Sequence, residues 1–275
     1  MIMWLASYPK SGNTWVRTIL ATLEYTNDGI YNPKNLSKIN KFPSQEYFSE
    51  FTKNYHNVHE IKKLWIYAQQ KINLKNEFTY FKTHHVNCKM GEYSFTNNDN
   101  TAGSIYIIRD PRNVVTSFAN HFSKNIEEAK NTMASILMTG TEAPEIFELV
   151  GTWAQNYISW TKYNKNHLLI KYEDLISSPE KEIKKMIKYI NKFKKLDVSE
   201  EKLKNVIKTT SFENLKKHEE EGNFNENANH KITQEKIPFF NLGKKNKWQE
   251  ILDRSISKEI EQKFEKEMKE LGYLK

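Results

Sequence analysis

Hydrophobic and polar positions recur with two different periods along the chain, and this pattern predicts strands separated by helices. Residues 1–7 form a short apolar run that ends at Tyr8-Pro9, which is typical of a buried strand closed by a turn. Within residues 14–25 the apolar side chains recur at helical spacing. We therefore expect the chain to open as a strand, a loop and a helix.

The same two periods predict the remaining elements. The further strands are expected at residues 78–82, 104–108 and 168–172. The further helices are expected at residues 47–72, 111–122, 147–164, 179–192, 200–207 and 254–271. Loops are expected in the polar stretches 28–44, 87–103, 124–145 and 219–238, with 124–145 as a candidate lid. Strands that alternate with helices favour one α/β domain over residues 1–275, with a central, mostly parallel sheet flanked by helices.

Composition narrows the class of protein. The chain carries 42 Lys and Arg residues against 34 Asp and Glu, a net charge of +8, but the lysines are spread evenly, which favours a polar surface over a nucleic-acid-binding arm. Cys88 is the single cysteine, which excludes an internal disulfide and a cysteine-based zinc site. No run approaches the roughly 18 apolar residues of a membrane span, and the N-terminus lacks a signal-peptide pattern. We expect a cytoplasmic protein.

Arginine is rare in this lysine-rich chain, so each arginine position is a candidate for a planar, bidentate grip on phosphate or carboxylate. The four arginines are Arg17, Arg109, Arg112 and Arg254. Two of them, Arg109 and Arg112, lie three residues apart, directly after a predicted strand.

The first motif is the string Tyr-Pro-Lys-Ser-Gly-Asn-Thr-Trp at residues 8–15, between the first strand and the first helix. The first amides of a helix have no partner within it and favour an anion. Gly12 would permit close approach of a phosphate, and Lys10 would add a mobile charge. A kinase loop would have an earlier glycine and its lysine after the second glycine. An ordinary strand-turn-helix with a surface lysine is the alternative for this motif alone.

The second motif runs from the strand 104–108 into a helix. Arg109 follows the strand, Pro111 is suited to the first position of the helix, and Ser117 lies about two turns further on. Open α/β sheets bind ligands at the carboxyl ends of their strands, where an arginine and a hydroxyl can hold a phosphate. The alternative is an ion pair of Arg109 with Asp110 or Glu173.

The third motif is Lys82-Thr83-His84, which follows the strand 78–82. A histidine near its ordinary pKa of about 6.5 suits a general base, and a lysine beside it can stabilise developing negative charge. Neighbouring residues of an extended strand point to opposite faces, so only one of His84 and His85 can face a site.

The first two motifs, in this order and about a hundred residues apart, closely resemble the phosphate-binding motifs of the cytosolic-type sulfotransferase family. The resemblance implies a P-loop-like fold and transfer of a sulfonate group from 3′-phosphoadenosine-5′-phosphosulfate (PAPS), which leaves as PAP. The acceptor would be a hydroxyl, or else an amine, on a small molecule or glycan. No metal, nucleic acid or membrane is implied as a partner, and the oligomeric state is left open.

The resemblance also implies roles for individual residues. Lys10 would meet the bridging oxygen of the donor, Trp15 would stack on adenine, and Arg109 with Ser117 would hold the 3′-phosphate. The nucleotide-binding residues would be Lys10, Ser11, Gly12, Asn13, Thr14, Trp15, Arg109, Ser117, Tyr172, Thr210, Phe212, Gly243 and Lys244. The catalytic residues would be His84 as general base, with Lys10 and Lys82 as assisting cations.

The C-terminal nucleotide motif departs from the family pattern Arg-Lys-Gly-x-x-Gly-Asp-Trp-Lys. Gly243 and Trp248 match it, but Asn241 stands where the family has an arginine on the 3′-phosphate. Lys244 or Lys245 would supply charge without the planar fork of arginine. Besides an active sulfotransferase, the alternatives are a P-loop kinase, a PAP-binding family member without activity, and a nucleic-acid-binding module. Residues 28–78 and 124–145 are expected to shape the acceptor pocket.

Overall fold

A computed structural model describes residues 1–162, 166–224, 226, 228–229 and 236–275, without the side chains of residues 228, 229 and 244. The strands are β1 (Ile2–Ser7), β2 (Asn40–Lys41), β3 (Thr79–Thr83), β4 (Lys89–Met90), β5 (Tyr93–Ser94), β6 (Thr101–Ile108), β7 (Leu137–Thr139), β8 (Glu148–Gly151), β9 (His167–Lys171), β10 (Ala228–Asn229) and β11 (Lys236–Ile237). The helices are α1 (Asn13–Tyr25), α2 (Val58–Asn73), α3 (Pro111–His121), α4 (Ile126–Ala134), α5 (Trp153–Thr161), α6 (Tyr172–Ser177), α7 (Pro179–Ile190), α8 (Glu200–Thr209), α9 (Phe212–Glu220), α10 (Trp248–Ile251), α11 (Arg254–Lys263) and α12 (Glu265–Glu270).

A five-stranded sheet with the order β2-β3-β1-β6-β9 forms the centre of the fold. Every neighbouring pair in this sheet is parallel, and β1 is paired with β3 on one side and β6 on the other. The expected α/β fold with a parallel sheet is therefore confirmed. Because parallel strands share one direction, β1, β3, β6 and β9 end at the same edge, and the three sequence motifs follow at that edge.

Helices cover both faces of the sheet, since side chains of a strand alternate between its two sides. Trp4 of β1 faces one apolar core, together with Trp65 of α2 and Trp160 of α5. Leu5, the next residue, faces a second core with Ile19 of α1. Both β1 side chains are completely buried. The near-continuous apolar run of β1 thus reflects a strand that is covered on both sides.

Two helix predictions began too early. The helix expected at 47–72 starts at Val58, where the Asn57 side chain accepts the His59 amide hydrogen. The helix expected at 147–164 starts at Trp153, because residues 148–151 form β8, paired with β7. Gly151 takes a φ of +71°, and Thr152 caps α5, so the helical run begins only after them. Residue 164, the end of that prediction, lies outside the described residues.

The stretches expected as loops contain short elements that their polar sequences hide. Residues 87–103 hold the hairpin β4–β5 and the start of β6, and β2 adds an edge strand within 28–44. Residues 124–145 hold β7 and α4; the latter carries a capping box and packs on α3 and α11, which argues against a lid at that helix. The helix expected at 254–271 is split at Phe264 into α11 and α12. Much of 219–238 lies outside the described residues.

In the described part of the chain, no helix combines the length and the apolar character that a membrane crossing requires.

Candidate active site

A cavity of about 650 Å³ lies at the carboxyl edge of the sheet, and residues from all three motifs line it. From the sequence-predicted set, the lining residues are Lys10, Gly12, Asn13, Thr14, Trp15, Lys82, His84, Arg109, Ser117, Tyr172, Phe212 and Gly243. The structure therefore brings together residues that are more than 200 positions apart in the sequence.

The loop between β1 and α1 is built around Gly12. This residue takes a φ of +103°, a backbone conformation that residues other than glycine rarely adopt. A Cβ atom placed there would lie 2.5 Å from Tyr172 Cδ2. No side chain of the described residues caps α1, so its first amides are available to a ligand. Lys10 also has a positive φ, +66°, which is uncommon outside glycine and costs conformational energy.

Lys10 lies in a strongly cationic part of the cavity. Burial, with help from Lys82 and Arg109, lowers the pKa of the Lys10 ammonium to about 7. Its Nζ lies 4.0 Å from the centroid of the Phe239 ring. An anion bound beside Lys10 would raise this pKa and favour the charged ammonium.

Arg109 of the second motif contacts the loop of the first motif. Its guanidinium group stacks on Tyr172, 4.1 Å from the ring centroid, and donates a 3.3 Å hydrogen bond to the Lys10 carbonyl oxygen. The alternative ion pairs do not form, since Asp110 binds Arg112 and Glu173 accepts the Asp110 amide hydrogen instead. Ser117 lies on α3 and lines the same cavity.

Arg112, the near neighbour of Arg109, has a structural role. Its guanidinium group lies 2.7 Å from Asp110, 2.6 Å from Glu261 of α11, and 4.0 Å from the centre of the Trp248 ring. Trp248 of the C-terminal motif therefore packs on an arginine that is already paired with two carboxylates. Arg112 thus grips carboxylates of the chain itself, whereas Arg109 lines the cavity.

The segment after Gly243 is tied to α3 by side-chain hydrogen bonds. Asn246 accepts from the Thr116 hydroxyl at 2.8 Å and donates to the Asn113 carbonyl oxygen at 2.9 Å. Gly243 fits flat against Phe212, because a Cβ atom there would lie 2.4 Å from the Phe212 ring. Asn241 is exposed at the cavity wall, and the Lys244 side chain lies outside the described residues.

His84 lies just beyond β3, with its ring held by β1. Its Nδ1 is 2.8 Å from the Ser7 carbonyl oxygen, which can only accept, so Nδ1 carries the proton and Nε2 keeps a lone pair. The Ser7 hydroxyl is 3.3 Å from the same Nδ1 and accepts from the Asn13 side-chain amide at 3.2 Å. Burial and the Lys82 ammonium lower the pKa of His84 to about 3, so the ring is neutral in the free protein.

His85 points to the opposite face, as the alternation along a strand predicts. It is fully buried and stacks on Phe95 at 4.2 Å between ring centroids. Two side chains hold the His84 backbone: Asn156 donates to its carbonyl oxygen, and Glu148 accepts its amide hydrogen. This clamp presents His84 to the cavity and His85 to the aromatic core.

Three of the expected nucleotide-binding side chains are placed differently from the others. The Asn13 side-chain amide also donates to the Leu5 carbonyl oxygen, so this side chain points back to β1. Only the Asn13 backbone is then left to contact a phosphate. Thr210 is buried and does not line the cavity; its hydroxyl donates within α8, while its carbonyl oxygen accepts the Trp15 indole hydrogen at 2.8 Å. Ser11 is fully buried, and its hydroxyl has no partner within the described chain.

Three features in or near the cavity were not predicted from the sequence. His121 lines it from α3, four residues after Ser117, and the i, i+4 spacing on one helix face was the available signal. The buried Glu148 forms a 2.7 Å ion pair with Lys41, and although burial opposes its charge, Lys41 and His84 keep its pKa at about 2. Glu226 reaches the start of α1, and no local pattern marked it.

Two polar side-chain atoms at or beside the cavity are buried without a partner in the described part of the chain. The Ser11 hydroxyl and the Arg109 Nε are buried without a hydrogen-bond partner among the residues described. Buried polar atoms are nearly always paired in folded proteins, so such atoms at a site point to a polar ligand. One of them lies in the loop before α1 and the other at the end of β6, next to the wall that carries Tyr172.

The model of the family described as "Sulfotransferase domain" matches residues 2–272. The chain therefore belongs to the sulfotransferase domain family. Sulfotransferase 1E1 of Bos taurus is 23% identical over 278 residues, which cover 96% of this chain and 82% of that protein. Amine sulfotransferase of Oryctolagus cuniculus is 24% identical over 277 residues, covering 98% of this chain and 81% of that protein.

Solved structures show the same fold. Mouse sulfotransferase SULT7A1 complexed with PAP has a TM-score of 0.57 and 17% identity, over 97% of this chain and 84% of that one. Retinol dehydratase in a complex with retinol and PAP has a TM-score of 0.58 and 17% identity, over 98% of this chain and 81% of that one.

Proposed function

We propose that this family member transfers a sulfonate group from PAPS to a hydroxyl acceptor, or else an amine, with His84 as the general base. The observation that carries the proposal is the single cavity lined by Lys10, His84 and Arg109, one from each motif. The donor supplies the sulfonate group, which passes from the bridging oxygen of PAPS to the acceptor while PAP leaves.

Different residues of the cavity would bind different parts of the donor. Arg109 and Ser117 would hold the 3′-phosphate, and the loop from Ser11 to Thr14 would hold the 5′-phosphate. Trp15 and Tyr172 meet edge to face, 5.5 Å between centroids, and with Phe212 they offer aromatic surface to adenine. Lys10 would stabilise the charge that grows on the bridging oxygen, an interaction stronger in the transition state than before it.

His84 is suited to accept the proton of the acceptor. Its Nδ1 donates to the Ser7 carbonyl oxygen, so the proton from the acceptor hydroxyl would go to Nε2 as the acceptor oxygen attacks sulfur. The pKa of about 3 in the free protein ensures a neutral ring. A bound anionic donor beside Lys82 would offset that ammonium and raise the basicity of His84.

The acceptor would bind on the side of the cavity formed by Lys41 and Pro43 and by Leu137 and Thr139. These residues come from the segments 28–78 and 124–145, which carry no nucleotide motif. The wall combines apolar side chains with the Lys41–Glu148 ion pair, so an acceptor with both apolar and polar groups would fit it.

The nucleotide assignment is tested by ligand stabilisation. We expect PAP to raise the melting temperature more than 5′-AMP or ATP at equal concentration, because only PAP offers a 3′-phosphate to Arg109 and Ser117. The shift grows with RT ln(1 + [L]/Kd), so matched concentrations rank the affinities. Differential scanning fluorimetry with the three nucleotides makes the comparison.

The matched control is Arg109→Lys, which keeps the charge and removes the planar fork. This variant should bind PAP weaker by about 1–3 kcal/mol, the scale of a charge-assisted hydrogen bond, while its affinity for 5′-AMP stays near that of the wild type. Equal shifts for PAP and 5′-AMP in the wild-type protein would rule out a 3′-phosphate site at Arg109.

A further inference from the structure

A buried arginine that the family motifs do not include lies one turn into α1. Arg17 is 6% exposed. It lies three residues after Thr14, on the helix that begins at the phosphate loop. Its Nε has no hydrogen-bond partner in the part of the chain that the structure describes. A buried guanidinium group needs an anion beside it, and here that anion is the Glu226 carboxylate.

Glu226 binds at the place expected for the 5′-phosphate. Its carboxylate accepts a hydrogen bond from the Thr14 hydroxyl at 2.7 Å and forms an ion pair with Arg17. The ammonium groups of Lys10 and Lys82 also act on it electrostatically. Although burial opposes its charge, Lys82 and Arg17 hold the pKa of Glu226 at about 2, so the carboxylate stays ionised at neutral pH.

This arrangement cannot persist when an anion binds to Thr14. A phosphate on the Thr14 hydroxyl would compete with Glu226 for the same donor, and two like charges at hydrogen-bond distance repel strongly inside a protein. If Glu226 leaves, Arg17 loses the anion that balances its buried charge. The phosphate itself is then the available counter-ion.

We infer that Arg17 is a further anion-binding residue of the donor site, and that Glu226 is an internal counter-ion which the 5′-phosphate of the donor displaces. This inference rests on the proposed function. It adds a binding residue to that site, and it makes Glu226 a competitor that sets the affinity for the nucleotide.

The test compares ligands that differ only at the 5′ position. We expect Glu226→Gln to bind PAP about tenfold more tightly, since a charged competitor is removed from a charge-assisted contact. The affinity for adenosine 3′-phosphate, which lacks the 5′-phosphate, should stay unchanged. Arg17→Gln should weaken PAP binding by about tenfold on the same scale, again without effect on adenosine 3′-phosphate. Isothermal titration calorimetry gives each Kd.

Controls separate binding from folding. Glu220→Gln removes one exposed carboxylate of α9, 3.8 Å from Lys216, and should leave both affinities unchanged. The melting temperature of each variant reports folding, and Glu226→Gln decides the matter if Arg17→Gln does not fold. An unchanged or weaker PAP affinity in Glu226→Gln would overturn the inference while leaving the proposed function intact. A wild-type protein that does not bind PAP would overturn both.

Discussion

Replacement of His84 by alanine is expected to lower kcat for sulfonate transfer by about 100-fold or more, the usual contribution of a general base. The Ser7 carbonyl oxygen holds the proton on Nδ1, so Nε2 is the nitrogen that would take the proton of the acceptor. The affinity for PAP should hardly change, because His84 would face the acceptor and not the nucleotide. Single-turnover transfer from labelled PAPS measures the rate, and PAP titration by calorimetry measures the affinity.

Two other histidines provide controls for this assignment. His121 lines the same cavity, and its Nδ1 has no partner among the described residues, so it is the competing candidate for the base. His121→Ala should retain most of kcat. His85→Ala should lower the melting temperature, since it removes a ring stacked on Phe95, and should affect kcat less than His84→Ala. An inactive His121→Ala beside an active His84→Ala would transfer the role to His121.

Replacement of Lys10 by alanine is expected to lower kcat by about 100- to 1000-fold, the range seen when one group that stabilises a developing anion is removed. Unlike the His84 variant, this one should also bind PAP less tightly. Lys10 lies in the phosphate loop, where burial, Lys82 and Arg109 lower its pKa and an incoming anion would pair with it. The same single-turnover assay and calorimetry separate the two effects.

Lys247→Ala is the matched control for Lys10. The Lys247 side chain is 60% exposed and pairs with Glu250 at 3.1 Å, outside the cavity lining, so its loss should leave kcat and PAP affinity unchanged. If Lys10→Ala weakened PAP binding but kept the single-turnover rate of saturated enzyme, Lys10 would bind the ground state alone. Its proposed role on the bridging oxygen would then be wrong.

The parts of the fold that were predictable from sequence are those with a local physical cause. The strand, loop and helix at the N-terminus follow from an apolar run, Gly12 at a positive φ and a helical period, all within 25 residues. Pro111 marks the first position of α3, and Asp110 caps it. The opposite orientations of His84 and His85 follow from the alternation of an extended chain.

The parts that were missed depend on contacts between distant segments. β8 exists because it pairs with β7, and its residues alone have an apolar pattern that a helix also satisfies. Asn13 points inward because β1 offers it the Leu5 carbonyl oxygen, whereas its place in the motif predicts a phosphate contact. Thr210 supports Trp15 through its backbone, which no side-chain pattern reveals.

Glu226 is the clearest example of a residue whose role depends on contacts between distant segments. It lies 209 residues from Arg17, in a polar stretch expected only as loop, and its carboxylate has meaning only beside Thr14 and Arg17. The rarity of arginine did mark Arg17 as a candidate anion-binding position, but the sequence alone did not show which anion. Composition can therefore identify a candidate charged residue, but its ion-pair partner becomes known only from the folded structure.

The most direct test of the proposed sulfotransferase activity is single-turnover transfer of ³⁵S-labelled sulfonate from PAPS to a panel of alcohols, phenols, amines and glycans, with EDTA present. We expect the label to move to at least one acceptor class, with one PAP formed for each label transferred. Retention of the label on PAPS with every acceptor class would contradict it. Phosphorylation of the same panel by ATP and Mg²⁺ would then establish the kinase alternative.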